Sequence, residues 1–303
     1  MKNSLLPIAF LALLATACNK ENDNGSSKNV IFKFKFDPTQ ARLNNIGQPA
    51  SLPAGNAGLS PTFNGMSAHY LELSPNALTP LGSGTIVFQA PETTVGGSRA
   101  IDFEKCTVAG DSVAFLTMPI KNIPPGSYEW LRLSLAYQNY DIKFRIDTVI
   151  SGIPINGDFP GTVASFIGFN TYIKSYKLKT DTIQVDGNRK QGYWGLETSA
   201  VVAGTPLTLK QSGQAPEGAT TVVNPIFASS PVPTGSCVVT AAFTPGKLVI
   251  TGNENKDIVI EVSLSTNKSF EWKEVVNNGK WDPLKGEKVV DMGIRGMIPK
   301  IIP

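Results

Sequence analysis

The chain has 303 residues, 27 of them Lys or Arg against 24 Asp or Glu, for a formal charge of +3. That length supports one large domain or two smaller ones, and the absence of any basic block excludes an electrostatic footprint for nucleic acid. With 41% hydrophobic and 17% charged residues the composition is globular and excludes a disordered chain, and 28 Gly and 22 Pro suit many turns between short strands.

The first segment is a leader. Lys2 precedes an apolar run from Leu5 to Leu14, and Ala15-Thr16-Ala17 offers small residues directly before Cys18. A run this short, without stop-transfer charges, reads as a signal peptide over residues 1–17 rather than a membrane span. With Cys18 at the cleavage point it resembles a bacterial lipobox, although Ala15 stands where Leu is commonest. The resemblance implies that the mature chain begins at Cys18 with its sulfur acylated, so its membrane partner is reached through a lipid anchor. No second apolar run approaches spanning length, so that anchor acts alone. Residues 18–28 carry nothing apolar to bury and read as a flexible tether. The acidic residues just after Cys18 resemble the surface-export signal of Bacteroidota lipoproteins. An outer-membrane location follows, facing either the cell surface or the periplasm.

Residues 29–303 read as an antiparallel β-sandwich with long decorated loops, either one domain or two packed sub-domains. Ile31–Phe36 alternates strictly, with Phe32, Phe34 and Phe36 on one face and Lys33 and Lys35 on the other. Thr39–Phe63 is rich in turn formers and reads as a long ordered loop with a short strand or two. Ser67–Leu73 and Thr85–Gln89 are strands, Pro91–Phe103 is a turn or loop, and Ser112–Met118 is a buried strand. Ile123-Pro124-Pro125-Gly126 is a turn. Beyond it Leu131, Leu133, Leu135 and Tyr137 share odd parity, whereas Ile142, Phe144 and Ile146 are even. One regular strand cannot bury both sets on one face, so a hairpin or a bulge lies near Gln138–Asp141, and Asn139 and Asp141 favour the hairpin. Ser151–Gly161 reads as a Gly/Pro loop, Val163–Phe169 and Tyr172–Lys179 as strands, and Asp186-Gly187-Asn188 as a hairpin turn. Cys237–Phe243, Lys247–Thr251, Asp257–Ser265 and Phe270–Trp272 complete the β pattern. No amphipathic helix and no repeat interrupts it.

Chemistry is sparse. His69 is the sole imidazole, it sits in a strand, and no Gly-x-Ser-x-Gly elbow accompanies it. Phosphate-cradling and dinucleotide fingerprints are absent. Paired carboxylates for glycoside hydrolysis would have to come from Glu92, Asp102, Glu104 and Glu197, which lie in or near loops. Tyr137, Tyr140, Tyr193 and Trp194 flank expected turns and are the candidate aromatic ligand-binding residues, with strand packing as their alternative role. Cys106 and Cys237 remain after Cys18 and allow either a disulfide or two buried thiols.

Ile120-Lys121-Asn122-Ile123-Pro124-Pro125-Gly126-Ser127-Tyr128, followed by a long apolar strand, resembles the MbnP-like lipoproteins, a family named for a methanobactin-associated copper-binding protein. The opening Val30–Phe36 strand, Tyr70–Leu73 before an acidic loop, and Tyr172–Leu178 before a Gly turn extend the likeness loosely over two thirds of the chain. It implies an extracytoplasmic β-sandwich that binds a metal or small ligand. For copper, His69 and Met66 are the donors considered, with Met292 and Met297 as further soft donors. Gly168-Phe169-Asn170 stands where a Trp-bearing segment is expected. The preferred reading from sequence is a non-enzymatic, cofactor-free, lipid-anchored binding or structural protein with a glycan, peptide or envelope-protein partner. The alternatives are an MbnP-like copper protein and a carboxylate-based hydrolase.

Overall fold

The computed structural model describes residues 28–150, 152–202, 204–215 and 237–303. The leader, Cys18 and most of the tether lie outside the described residues. The described strands are β1 (Asn29–Asp37), β2 (Asn56–Leu59), β3 (Thr62–Ser74), β4 (Thr85–Gln89), β5 (Glu92–Thr93), β6 (Ala100–Asp102) and β7 (Ala114–Pro119). They continue as β8 (Gly126–Tyr128), β9 (Trp130–Ile150), β10 (Ile153–Phe166), β11 (Asn170–Lys177), β12 (Thr182–Lys190), β13 (Tyr193–Val202) and β14 (Thr205–Gln214). After these come β15 (Val238–Ala242), β16 (Leu248–Ile250), β17 (Ile258–Ser265), β18 (Phe270–Lys273), β19 (Val289–Met292) and β20 (Met297–Ile302). Short 3-10 turns are the only helical pieces among the described residues. The fold is all-β, as the alternating sequence predicts.

A front sheet ordered β20-β17-β1-β7 packs on a seven-stranded back sheet ordered β14-β13-β10-β9-β3-β4, in which β15 also pairs with β9. Alternation in β1 places Phe32, Phe34 and Phe36 in the interface, where Phe34 stacks on Phe115 with centroids 4.0 Å apart. They meet Leu71, Leu73, Leu131, Leu133 and Leu135 from the back sheet in the main core. Burying each such side chain contributes roughly 1.5–3 kcal/mol. β1 runs parallel to β17, an exception in a mainly antiparallel assembly. On the opposite face of the back sheet lies a small sheet, β12-β11-β6-β5. It closes a second cluster built on Tyr137, Phe166, Ile173, Tyr176 and Tyr193. The two cores therefore share one sheet.

The parity switch in β9 is resolved without a turn. β9 runs unbroken for 21 residues, and the expected hairpin at Gln138–Asp141 is replaced by a bulge. Against β3, Ser67 faces Tyr137 and Ala68 faces Leu135, which leaves Ala136 as the extra residue. Its carbonyl accepts from the amides of Ile167 and Gly168 at 2.9 and 3.1 Å, so the displaced group stays satisfied. From there even positions such as Tyr140 and Ile142 enter the main core, while Tyr137 turns to the second cluster.

Of the stretch Ser151–Gly161, expected as a loop, the described residues from Ile153 onward are strand. Most of it lies in β10, whose Pro154 and Pro160 pair with Val149 and Lys143 of β9. β10 meets β13 only over Gly161–Phe166, so both prolines sit where β10 is an edge, and a missing N–H costs no ladder bond there. Asp186-Gly187-Asn188 falls inside β12, and the turn into β13 is made at Gln191-Gly192, with Gly192 at φ 88°.

Candidate functional site

The back sheet positions a polar cluster around His69. A second bulge, on β3, pairs Ala68 with Leu135 and Tyr70 with Ser134 and leaves His69 as the extra residue. Met66 and Ala68 before it and Leu71 and Leu73 after it face the main core. The bulge turns His69 away from them, and the Ala90 amide fixes it by donating to its carbonyl at 2.7 Å. Its Nε2 lies 3.0 Å from Glu92 Oε1 on β5. Burial lowers the imidazole's pKa, and Glu92 opposes this only partly. With the imidazole neutral, Nε2 donating to the Glu92 carboxylate leaves Nδ1 as an acceptor.

Glu92 also binds Arg99 through two contacts, Nη2 to Oε1 at 3.0 Å and Nε to Oε2, and accepts from Gln89 Nε2 at 3.3 Å. Burial works against the Glu92 charge, but the hydrogen bonds from Arg99 and His69 hold its carboxyl below the usual range. The Arg99 guanidinium lies over the Phe169 ring at 5.9 Å, and the same ring meets His69 at 5.4 Å.

The turn that carries Arg99 is itself anchored. Gly97, at φ 89°, supplies the left-handed residue, and its amide donates to Thr94 O at 2.9 Å. Asn170 of β11 donates to Arg99 O at 2.8 Å, and Asn188 of β12 donates to Ser98 Oγ at 2.9 Å. The stretch Pro91–Phe103, expected as a turn or loop, contains the expected turn at Gly97, flanked by the β5 and β6 pair. Arg99, Phe169, Asn170 and Asn188 were not singled out as ligands by their sequence. The Gly96-Gly97 pair and Phe169-Asn170 were visible, but their convergence depends on strands far apart in the chain.

No protein-family model, curated protein or solved structure matches the chain.

The other predicted residues lie elsewhere. Tyr137 and Tyr193 belong to the second cluster and Tyr140 to the main core, all nearly fully buried, while Trp194 packs partly buried against the main core. They are packing residues rather than an exposed aromatic platform: Tyr137 and Tyr140 lie within the continuous β9, and Tyr193 and Trp194, although they follow the Gln191-Gly192 turn, pack against the two cores. Cys106 and Cys237 are free thiols, which corrects the disulfide. Cys106 Sγ lies 3.5 Å from Asp102 O beside β6, whereas Cys237 packs against the main core. Burial pushes their thiols up to about 11 and about 12, which keeps both protonated at neutral pH. Met66 is sealed in the main core while His69 faces Glu92, so the two do not form a metal pair. Among the described residues no group of three His, Cys, Asp or Glu could hold a metal ion.

The candidate acids do not converge either. Glu92 is committed to His69 and Arg99, Asp102 pairs with Lys105 at 2.8 Å, and Glu104 lies 4.0 Å from Lys174. Glu197 clamps the β11–β12 turn, accepting from the amides of Lys179, Thr180 and Asp181 at 3.0 Å and from Thr180 Oγ1. A further charged network, unseen in the sequence, lies inside. Glu271 accepts from Arg42 at 2.5 Å and from Arg295 at 2.7 Å, and Arg295 also meets Asp291 at 2.9 Å. It ties the loop after β1 to β18 and β19.

Proposed function

We propose that this chain is a cell-envelope binding protein, anchored in the outer membrane through acylated Cys18, that engages a glycan, a peptide or a partner subunit. The observation that carries the reading is Arg99, whose side chain is 68% exposed and yet fixed by Glu92 and Phe169. A guanidinium held in the open beside a carboxylate, the Gln89 amide and an aromatic ring offers directed donors and acceptors at little ordering cost. The leader and the Cys18 lipobox support the envelope location. Copper binding would need His69 and Met66 together, but three positions apart on β3 they face opposite sides of the sheet. A carboxylate hydrolase would need two acids across one cleft, and Glu92, Asp102 and Glu197 serve three separate clamps.

The test is binding of the mature chain to immobilised glycans and peptides, beside Arg99→Ala and Phe169→Ala. Specific binding that falls at least tenfold in both variants supports the reading. Binding that neither variant changes, or none above background, overturns it.

A further inference from the structure

We infer that β14 is a self-association edge, through which two copies of this chain join into one continuous sheet. β14 ends the back sheet. It pairs with β13 from Val202↔Thr205 to Tyr193↔Gln214 without a register shift, and no described strand pairs with its other side. Since β10 leaves β13 beyond Gly161↔Thr198, the outer half of β13 and β14 stands clear as a hairpin arm. An edge strand presents a row of backbone N–H and C=O groups that another strand can complete, and natural chains guard such edges with charge, proline or bulges.

β14 carries one proline, Pro206, at its second position, and is weakly guarded beyond it. From Thr198 to Ala215 the single charged residue is Lys210. Its ammonium is drawn back toward Asp181 at 3.8 Å and the Thr182 carbonyl at 3.3 Å. Leu207 and Leu209 share one face and are 44% and 57% exposed. A neutral edge of this kind suits a second copy, because two identical edges approach without like-charge repulsion, whereas a charged partner strand finds no complement. An antiparallel pair centred on Thr208 sets Leu207 opposite Leu209 of the second copy and Leu209 opposite its Leu207. It sets Lys210 opposite Pro206, away from the other Lys210. The arrangement is two-fold, so it closes at the dimer.

The experiment is the mass of the mature chain by light scattering, with amide exchange followed against concentration, for wild type and a Leu207→Lys/Leu209→Lys variant. Leu284→Lys, an equally exposed position off this edge, is the control. The expected result is a dimer in which the β14 amides facing away from β13 exchange more slowly as concentration rises. The double variant should weaken the dimer at least tenfold while the control leaves it intact. A monomer at every concentration, a dimer untouched by the double variant, or flotation of the non-acylated Cys18→Ala chain with phospholipid vesicles through these leucines would overturn the inference.

Discussion

Replacing Glu197 by Gln tests how the β11–β12 turn is held. Burial works to raise the Glu197 pKa, but the Thr180 hydroxyl and three backbone amides overcome it and hold the carboxyl at about 2, against an ordinary 4.5. A group whose folded pKa is depressed stabilises the fold above its unfolded pKa, and that contribution is lost as pH falls toward the folded one. A difference of about 2.5 pKa units corresponds to roughly 3 kcal/mol at pH 7, of which only about 1.4 kcal/mol survives at pH 3. Glu197→Gln keeps the shape but not the charge. It should lower stability by about 2–3 kcal/mol at pH 7, and its gap from wild type should shrink by about 2 kcal/mol between pH 7 and pH 3. Urea unfolding of both proteins across that range is the assay. An equal gap at both pH values would refute the argument that the clamp acts through the carboxylate charge.

Three further predictions concern stability and titration. Glu72, fully buried, lies 3.7 Å from Arg132 and accepts from the amides of Gly82 and Gly84. Glu72→Ala should cost about 3–5 kcal/mol by stranding the buried arginine, and amide exchange should show the 75–84 loop released; native-like exchange in that loop would contradict this. His69 should titrate below 6.5 by NMR because burial dominates, and its folded state then loses stability as pH falls below 6.5. His69→Gln should remove that acid-side loss, and a midpoint above 6.5 would show the sign to be wrong. At Gly195 an added Cβ would clash with the Tyr176 hydroxyl, so Gly195→Ala should cost roughly 1–3 kcal/mol in thermal unfolding. Unchanged stability would mean that Tyr176 moves freely.

The β1 alternation could be read from sequence because Phe32, Phe34 and Phe36 answer to a single buried face, and neighbouring strands add nothing to that pattern. In β9 the sequence exposed the conflict between Leu135 and Ile142 but not its form. A bulge at Ala136 and a turn at Asn139 relieve it equally well locally, and the choice rests on Ile167 and Gly168 receiving the displaced carbonyl. Pro154 and Pro160 argued for a loop because nothing local reveals that β10 has an open edge there. His69 was visible as the lone imidazole. Its partner Glu92 stands 23 residues away, and the Asn170 and Asn188 side chains that fix Arg99 come from strands that chain order alone does not bring together. The carboxylates were identifiable as candidates, while their roles as clamps depend on which backbone amides converge on them.

The most direct test of the account is the state of Cys18 in cells. Intact mass of the mature N-terminus, with fatty-acid labelling of wild type and Cys18→Ala, should show a chain that starts at an acylated Cys18 in the outer-membrane fraction. The variant should be unlabelled and released from the membrane. A mature chain that begins elsewhere, or a Cys18→Ala protein that stays in the membrane with its label, would contradict the anchored-binding account.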